Sequence, residues 1–162
     1  MKKLILSLGS NLGDRRKFLN DAMIEIEASI GKIRQVSSLY QTSPWGFDSS
    51  ELFLNQIILV NTHLSPVEVL EQIKLIEQKA GRIRSSAGFQ DRTLDIDIVF
   101  YDDLILDSQD LKIPHPNLHQ RLFVLMPLHE IAPKWMHPVF QKDITALLQE
   151  CDDILCHLVK IN

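Results

Sequence analysis

The order of its periodic segments constrains the fold of this chain more than any other feature of the sequence. Strand segments are apolar or β-branched, whereas helix segments repeat apolar residues every three or four positions. In chain order, the sequence predicts a strand at 3–8, a helix at 14–30, an extended segment at 33–40, a strand at 53–63, a helix at 65–80 and a strand at 94–101. This βαββαβ order is that of the split, ferredoxin-like arrangement. We therefore expect an α+β fold with a ferredoxin-like core and C-terminal additions, in three αβα layers.

Local signals mark the ends of these segments. Residues 9–13 contain two glycines and follow the first strand, which predicts a tight turn. Ser65 can cap the second helix, Pro66 fits its first position, and Glu68 can complete a capping box with Ser65. Gly81 can end the same helix. The boundaries of the second helix are therefore the best defined in the sequence.

The remaining segments predict loops and a few additional elements. Residues 41–50 and 82–92 lack a helix or strand period and predict loops. Beyond residue 102, the sequence predicts an extended piece near Leu111 and helices near 118–129 and 143–149. We expect these additions to pack on the ferredoxin-like core.

The composition is typical of one globular domain. The chain has 162 residues, of which 45% are hydrophobic and 23% charged, and we expect residues 1–162 to form a single domain. A formal net charge of −4 disfavours a nucleic-acid-binding protein, whose binding face is normally basic. No apolar run approaches the length of a membrane span, and the polar residues after Ser7 come too early for an export signal.

The cysteine content indicates the compartment. The chain has two cysteines, Cys151 and Cys156, which lie close together near its C-terminus. Such a pair favours reduced thiols over a disulfide framework or a zinc site. The thiols therefore favour a cytoplasmic protein. Separately, we expect a monomer that acts on small molecules and binds neither nucleic acid nor membranes.

The strongest chemical signal is an acidic pair on the last predicted strand. Alternate side chains of a strand share a face, so Asp95 and Asp97 point to one side while Ile96 points to the other. The two aspartates stand roughly 7 Å apart at Cα, which lets their carboxylates converge on one or two cations. Two carboxylates this close repel each other unless a cation or basic groups neutralise them. The alternative is the exposed polar face of an ordinary amphipathic strand.

A cluster of basic residues immediately precedes this strand. Lys79, Arg82, Arg84 and Arg92 lie within a segment whose one acid, Asp91, is the partner available to the arginines. Carboxylates for a magnesium ion and arginines for phosphate oxygens are the combination that magnesium polyphosphate requires. We therefore favour phosphate chemistry, without a P-loop signature. A solvated run of charges is the alternative.

Two further segments could line a binding pocket. Trp45 and Phe47 lie in the predicted 41–50 loop, and Asn55 follows on the next strand. The rings could stack on a flat heterocycle while Asn55 pairs with its edge, although core packing explains the same residues. His115 lies between two prolines, which fix the backbone around a side chain that must be aimed. An ordinary surface or core histidine is the alternative there.

Taken together, these motifs resemble the 6-hydroxymethyl-7,8-dihydropterin pyrophosphokinase family. The matching segments run almost from end to end, at 9–13, 38–46, 53–55, Glu77, 81–84, 92–98, 114–115 and 121–123. Arg-Thr-Leu-Asp-Ile-Asp-Ile at 92–98 is the most specific of them. The resemblance implies a ferredoxin-like α+β fold and transfer of the pyrophosphoryl group of ATP to the 6-hydroxymethyl group of the pterin. The products would be AMP and the pterin diphosphate, an intermediate of tetrahydrofolate synthesis.

The resemblance also implies roles for individual residues. Two magnesium ions would be held along the triphosphate by Asp95 and Asp97, and the catalytic group would be Arg82, Arg92, Asp95 and Asp97. ATP would be bound by Leu70, Arg82, Arg84, Arg92, Ile98, His115 and Arg121, with its adenine on an apolar ledge near Leu70, Ile98 and Leu111. The pterin would be bound by Thr42, Ser43, Pro44, Trp45, Phe53, Asn55, Asp95 and Phe123. Of these, Trp45 and Phe123 would sandwich the ring.

Two other classes share part of this pattern. An RNA-recognition domain has the same split order of elements, but the negative net charge and the lack of an aromatic-rich RNA-binding motif oppose it. A metal-dependent phosphohydrolase could use the same acidic pair, and it would hydrolyse its substrate without an acceptor. The sequence departs from the family pattern at Gln90, Asp91 and Pro116, and no family role is carried over to Asp110 or Lys112.

Overall fold

The computed structural model describes residues 1–81, 91–153 and 156–161. Within these ranges the elements are β1 (Lys2–Ser10), α1 (Arg15–Ser29), β2 (Gly31–Val36), β3 (Leu39–Thr42), β4 (Phe53–Thr62), α2 (Pro66–Lys79), β5 (Asp95–Tyr101), β6 (Leu106–Asp107), β7 (Lys112–Ile113), a 3-10 helix (Leu118–Gln120), α3 (Leu122–Ile131), α4 (Ile144–Glu150) and β8 (Val159–Ile161). The expected βαββαβ order is confirmed, with β2 and β3 together taking the place of one strand.

An antiparallel sheet forms the centre of the fold. Its strand order is β5–β1–β4–β3–β8, and β2 pairs with β4 beside β3. The first strand of the chain is thus flanked by the third and the last strands of the βαββαβ unit, which is the ferredoxin-like order. β1 lies at the middle of the sheet, and its nearly continuous apolar sequence suits a strand buried on both faces.

Helices cover both faces of this sheet. One face packs on α1 and α2, in a core that contains Leu4, Leu6, Leu8, Leu19, Ile26, Ile58, Val69, Ile73 and Ile96. The opposite face packs on α3 and α4 through Ile5, Ile57, Phe100, Val124, Leu125, Leu128, Ile144 and Leu147. The three αβα layers are therefore confirmed. In the ranges that the structure describes, no helix is long and apolar enough to cross a bilayer.

The predicted boundaries of α2 are confirmed in detail. The Glu68 N–H donates to Ser65 Oγ, and the Ser65 N–H donates to Glu68 Oε2 at 2.7 Å, which completes the capping box. Pro66 opens the helix, where its missing N–H costs nothing. Gly81 follows the last turn with a φ of +78°, a conformation that glycine adopts without strain. The local chemistry of these four residues therefore suffices to set both ends of the helix.

The predicted extended segment 33–40 is confirmed, and the structure divides it between two strands. Ser37 separates β2 from β3, and its Oγ accepts the N–H of Ile57 on β4 at 2.9 Å. Across this break the register with β4 moves by one residue, from Val36 opposite Ile58 to Tyr40 opposite Asn55. The alternation of apolar and polar residues does not reveal where a side-chain hydroxyl replaces a main-chain partner, so the break could not be predicted from it.

The C-terminal part also differs from the expectation. The helix predicted at 118–129 begins as a 3-10 turn, and α3 starts at Leu122, whose N–H donates to Asp153 Oδ2 at 3.0 Å. The extended piece near Leu111 is the second strand of the small β6–β7 hairpin. The helix expected at 143–149 is confirmed as α4, and β8 was not expected. Both cysteines, Cys151 and Cys156, are free thiols.

Candidate active site

A cleft of about 280 Å³ opens where β1 ends and β4 and β5 begin. The three strands are antiparallel neighbours, so Gly9 lies opposite Asn55 on one side and opposite Asp95 on the other. The lining residues are Ser7, Gly9, Thr42, Ser43, Trp45, Phe47, Phe53, Asn55, Arg92, Asp95, Asp97, His115, Pro116, Asn117, Arg121 and Phe123. The acidic strand, the aromatic loop and the His115 segment therefore meet in one cavity, although they are far apart in the sequence.

The acidic pair occupies the floor of this cleft. Asp95 and Asp97 line it, while Ile96 and Ile98 are buried in the core on the opposite side of β5, as strand alternation requires. Burial and the neighbouring Asp95 charge raise the pKa of Asp97 to about 7. The Arg121 and Arg92 guanidinium groups act in the opposite direction. A carboxyl group with a raised pKa in a cleft is typical of a functional site.

Arg92 faces the acidic pair. Its Nη1 lies 2.9 Å from Asp95 Oδ2, and its side chain is 11% exposed. Asp91, the acid that the sequence offers to the arginines, accepts the Asn11 Nδ2 hydrogen on its Oδ1 at 2.6 Å. Arg82 and Arg84, the other arginines of the predicted phosphate-binding group, lie outside the described residues.

Arg121 lies against two aromatic rings of the cleft. Its guanidinium carbon is 4.3 Å from the centre of the Trp45 ring and 5.7 Å from that of Phe123. Both distances are within the range of a cation–π interaction. Arg121 is buried, and its charge also lies close enough to Asp97 to affect the pKa of that group. The pair of rings expected to stack on a pterin therefore holds a cation in this structure.

The amide of Asn55 forms one wall of the cleft. It is 4% exposed, and its Nδ2 donates to Thr42 Oγ1 at 2.7 Å. Gly9 lies beside it on β1, and a Cβ there would stand 3.2 Å from Asn55 Oδ1 and 3.6 Å from the Phe53 ring. The Phe53 ring in turn packs edge-on against Phe47, 6.2 Å between ring centres. The glycine therefore leaves room for an oriented amide and an aromatic ring.

His115 contributes a neutral imidazole. Its Nδ1 accepts the Asn117 N–H at 3.2 Å, and its Nε2 lies 3.4 Å from Arg121 Nη1. Burial, assisted by the Arg121 charge, lowers the pKa of His115 to about 4. A neutral imidazole keeps one N–H and one acceptor nitrogen, so the ring adds a polar group but no charge to the cleft.

Not all of the residues predicted to bind substrates line the cleft. Ile98 is buried in the core under α1 and α2, and Leu70 and Leu111 pack against the same core. Pro44 is not among the lining residues either. Ser7 lines the cleft but was not predicted, because its position opposite Asp97 depends on the pairing of β1 with β5.

Carboxylates and arginines beside an aromatic pocket, on an α+β sheet, are the groups that an enzyme of phosphate transfer requires. The model of the family described as 7,8-dihydro-6-hydroxymethylpterin-pyrophosphokinase (HPPK) matches residues 5–133. The chain belongs to this family.

Curated relatives support the same assignment. The 2-amino-4-hydroxy-6-hydroxymethyldihydropteridine pyrophosphokinase of Porphyromonas gingivalis is 40% identical over 141 residues, which are 85% of this chain and 95% of the relative. A protein of the same name from Aquifex aeolicus is 37% identical over 144 residues, which are 89% of both chains. The similarity therefore extends over nearly the whole of each relative.

Solved structures share the fold. A Plasmodium falciparum HPPK-DHPS wild-type structure with STZ-DHP superposes with a TM-score of 0.75 at 18% identity. An HPPK-DHPS crystal structure in complex with substrates gives a TM-score of 0.73 at 16% identity. This chain is covered to 92% in both comparisons but spans only 43% of each solved chain. At such low identity these structures show the fold alone.

Proposed function

We propose that this cleft transfers the pyrophosphoryl group of ATP to the 6-hydroxymethyl group of 6-hydroxymethyl-7,8-dihydropterin, with Asp95 and Asp97 at the reacting centre. The family consists of pyrophosphokinases, so the type of reaction and the hydroxymethyldihydropterin acceptor of folate synthesis follow from membership. The observation that supports this location is the meeting of two carboxylates, Arg92 and an aromatic pocket in one cleft. Acceptor and phosphate sites must adjoin for direct transfer.

The acidic pair fits magnesium that arrives with a nucleotide. Mg²⁺ is usually bound by one or two carboxylates together with substrate phosphates and water. Over the described ranges, no group of three or more His, Cys, Asp or Glu side chains could form an all-protein metal site. Asp95 and Asp97 would hold two Mg²⁺ ions, which neutralise phosphate charge and lower the pKa of the pterin hydroxyl group.

The basic residues of the cleft would bind the phosphates. Arg92 and Arg121 supply guanidinium groups, and His115 supplies a neutral imidazole, all in the cleft with the acidic pair. We assign Arg82 and Arg84 to the same triphosphate. The family resemblance also gives Leu70 and Ile98 to the adenine, and both lie at the core under α1 and α2, outside the lining of this cleft. The protein would act by positioning and charge neutralisation, without a covalent intermediate.

The aromatic side of the cleft would bind the pterin. Thr42 fixes the Asn55 amide, whose polar edge can pair with the amide edge of a pterin. Trp45, Phe53 and Phe123 supply the stacking surfaces, and Ser43 and Pro44 complete this wall. A pterin between Trp45 and Phe123 would take the place of the Arg121 guanidinium, which would then turn towards the phosphates.

Replacement of Asn55 with alanine is expected to raise KM for the pterin at least ~10-fold. The bound pterin would lose its hydrogen-bond partner in a buried site and keep an unpaired polar edge. KM for ATP should change less than ~3-fold, since Asn55 lies on the aromatic side of the cleft. Steady-state kinetics with each substrate varied measures both values. Asn20→Ala, at an exposed position of α1, is the matched control. Equal increases in both KM values would contradict the assignment.

Magnesium binding is expected to release protons near neutral pH. Because the pKa of Asp97 is about 7 in the metal-free protein, the carboxyl is largely protonated at about pH 6 and must lose its proton to bind a cation. Calorimetric titration with MgCl₂ in buffers of different ionisation enthalpy measures the release, which should nearly vanish at about pH 9. Asp97→Asn should abolish it. Unchanged release in this variant would assign the proton to another group.

We also propose that residues 1–162 form one cytoplasmic, monomeric domain. The C-terminal strand β8 pairs with β3, so residues near both ends of the chain share one sheet. The free Cys151 and Cys156 thiols suit a reducing compartment. Light scattering coupled to gel filtration should give the mass of one chain, and a mass of two chains would contradict the monomer.

The nucleotide product tests the proposed reaction. Incubated with ATP, MgCl₂ and the pterin, the protein should form AMP and pterin diphosphate in equal amounts. Chromatography with mass detection separates these products from ADP and inorganic phosphate. ADP as the main product would contradict pyrophosphoryl transfer, and turnover without the pterin would indicate a phosphohydrolase.

A further inference from the structure

Asn11 is a buried polar residue that the proposed reaction leaves without a role. It follows the last residue of β1, in the 9–13 segment, and is 1% exposed. A buried amide costs free energy unless its polar atoms find partners, so the partners of Asn11 indicate what the side chain does.

The first partner of Asn11 is the main chain of Arg92, which it binds from both sides. The Arg92 N–H donates to Asn11 Oδ1 at 2.7 Å, and the Asn11 N–H donates to the Arg92 carbonyl at 3.1 Å. The regular pairing of β1 with β5 ends at Gly9 and Asp95. These two bonds extend it to Arg92, before the start of β5, with the asparagine side chain in place of a main-chain acceptor.

The second partner is the side chain of Asp91. Asn11 Nδ2 donates to Asp91 Oδ1 at 2.6 Å and, more weakly, to the Glu51 carbonyl at 3.4 Å. Arg92, the next residue in the chain, is paired with Asp95 inside the cleft. Asn11 therefore fixes both the main chain of Arg92 and the acid next to it.

We propose that Asn11 is a positioning residue, which holds the Arg92 guanidinium over Asp95 where phosphate oxygens bind. The inference rests on the proposed function, in which Arg92 binds the transferred group. A displacement of about 1 Å at a reacting centre can cost on the order of 100-fold in rate. Removal of the side chain leaves the Arg92 N–H and the Asp91 carboxylate without these partners.

The first test is Asn11→Ala. We expect kcat to fall ~10- to 100-fold while KM for each substrate changes less than ~3-fold, because Asn11 acts through Arg92 and not on bound substrate. Thr62→Val is the matched control, since Thr62 is also 1% exposed and bonds the Ile30 carbonyl and the Leu64 N–H at the other end of β4. It should lose thermal stability and keep kcat.

A double-mutant cycle tests whether Asn11 acts through Arg92. In an Arg92→Ala background, Asn11→Ala should lower kcat by less than ~3-fold, because the group it positions is already gone. If the two substitutions lower kcat independently, so that their effects multiply, the positioning role is overturned. If Arg92→Ala alone keeps full activity, the proposed role of Arg92 fails first, and the two failures are thus distinguishable.

Exchanging the Asn11 and Asp91 side chains tests the same role without changing the net charge. Asn11→Asp places a second carboxylate against Asp91 and should lower kcat at least ~10-fold. Adding Asp91→Asn restores one acid and one amide, with the hydrogen bond reversed and an acceptor kept for the Arg92 N–H. The double variant should regain most of kcat. No recovery would overturn the proposal, and the exchange decides the matter if Asn11→Ala does not fold.

Discussion

Asp97→Asn is expected to reduce kcat at least ~1,000-fold, about 4 kcal/mol of activation free energy, while the fold is retained. The substitution removes one of the two carboxylates on the cleft side of β5 but keeps the volume and the hydrogen-bonding capacity of the side chain. Asp95→Asn should act similarly. Single-turnover kinetics at saturating ATP, MgCl₂ and pterin measures the chemical step. Asp103→Asn, at an exposed position just after β5, is the matched control and should keep its rate.

The same substitution should stabilise the metal-free protein at high pH. Folding raises the pKa of Asp97 from about 3.8 to about 7, so the native state holds a proton that the unfolded state has lost in this window. Stability therefore falls as pH rises from 4 towards 7, and an amide avoids this loss. Without metal, Asp97→Asn should melt above wild type at about pH 8 and with wild type at about pH 4. A variant that gains stability and loses turnover identifies a functional carboxylate.

The outcome for the acidic pair is decisive in either direction. If either asparagine variant retains a tenth or more of the wild-type rate, Asp95 and Asp97 are an ordinary polar strand face. A lower melting temperature for Asp97→Asn at all pH values would indicate that the carboxylate stabilises the fold instead.

Arg92→Ala is expected to lower the chemical rate at least ~100-fold, about 2.7 kcal/mol, with a smaller change in ATP affinity. Its guanidinium already faces Asp95, so it is placed to stabilise charge that develops on the transferred group. Single-turnover quench-flow gives the rate, and equilibrium binding of ATP gives the affinity. The same result is expected for Arg82→Ala. Arg34→Ala, on the exposed side of β2, is the matched control.

Arg92→Lys separates the effect of the positive charge at this position from that of the planar guanidinium group. A lysine keeps the positive charge but not the paired N–H groups of a guanidinium, so only partial recovery of the rate is expected. If Arg92→Ala weakens ATP binding and leaves the chemical step at the wild-type rate, Arg92 only tethers the nucleotide.

Much of the fold was predictable because it depends on local patterns. The capping box of Ser65 and Glu68 and the strand alternation of Asp95 and Asp97 require only a few neighbouring residues. Strand β8 was missed because it has three residues and forms by pairing with β3, which no local pattern encodes. The break at Ser37 was missed for the same reason, since the hydroxyl bonds a strand 20 residues away.

The site was predictable in its composition but not in its pairings. The acidic pair and the aromatic loop were recognisable from residue types, and the cleft brings them together. The partners of Arg92 and Asp91 were not recognisable, because Asn11 lies about 80 residues away in the chain. Arg121 against the Trp45 ring is a contact of the same kind. Long-range polar contacts of this type depend on which segments the fold brings together, so the local sequence around each residue does not predict them.

The positions of bound metal ions test the central assignment most directly. A crystal of the protein with MnCl₂, a non-hydrolysable ATP analogue and the pterin would locate the metals by their anomalous scattering. The assignment predicts two manganese ions, with carboxylate oxygens of Asp95 and Asp97 and phosphate oxygens as ligands at about 2 Å. Manganese held by phosphate and water alone, with neither carboxylate as a ligand, would contradict it.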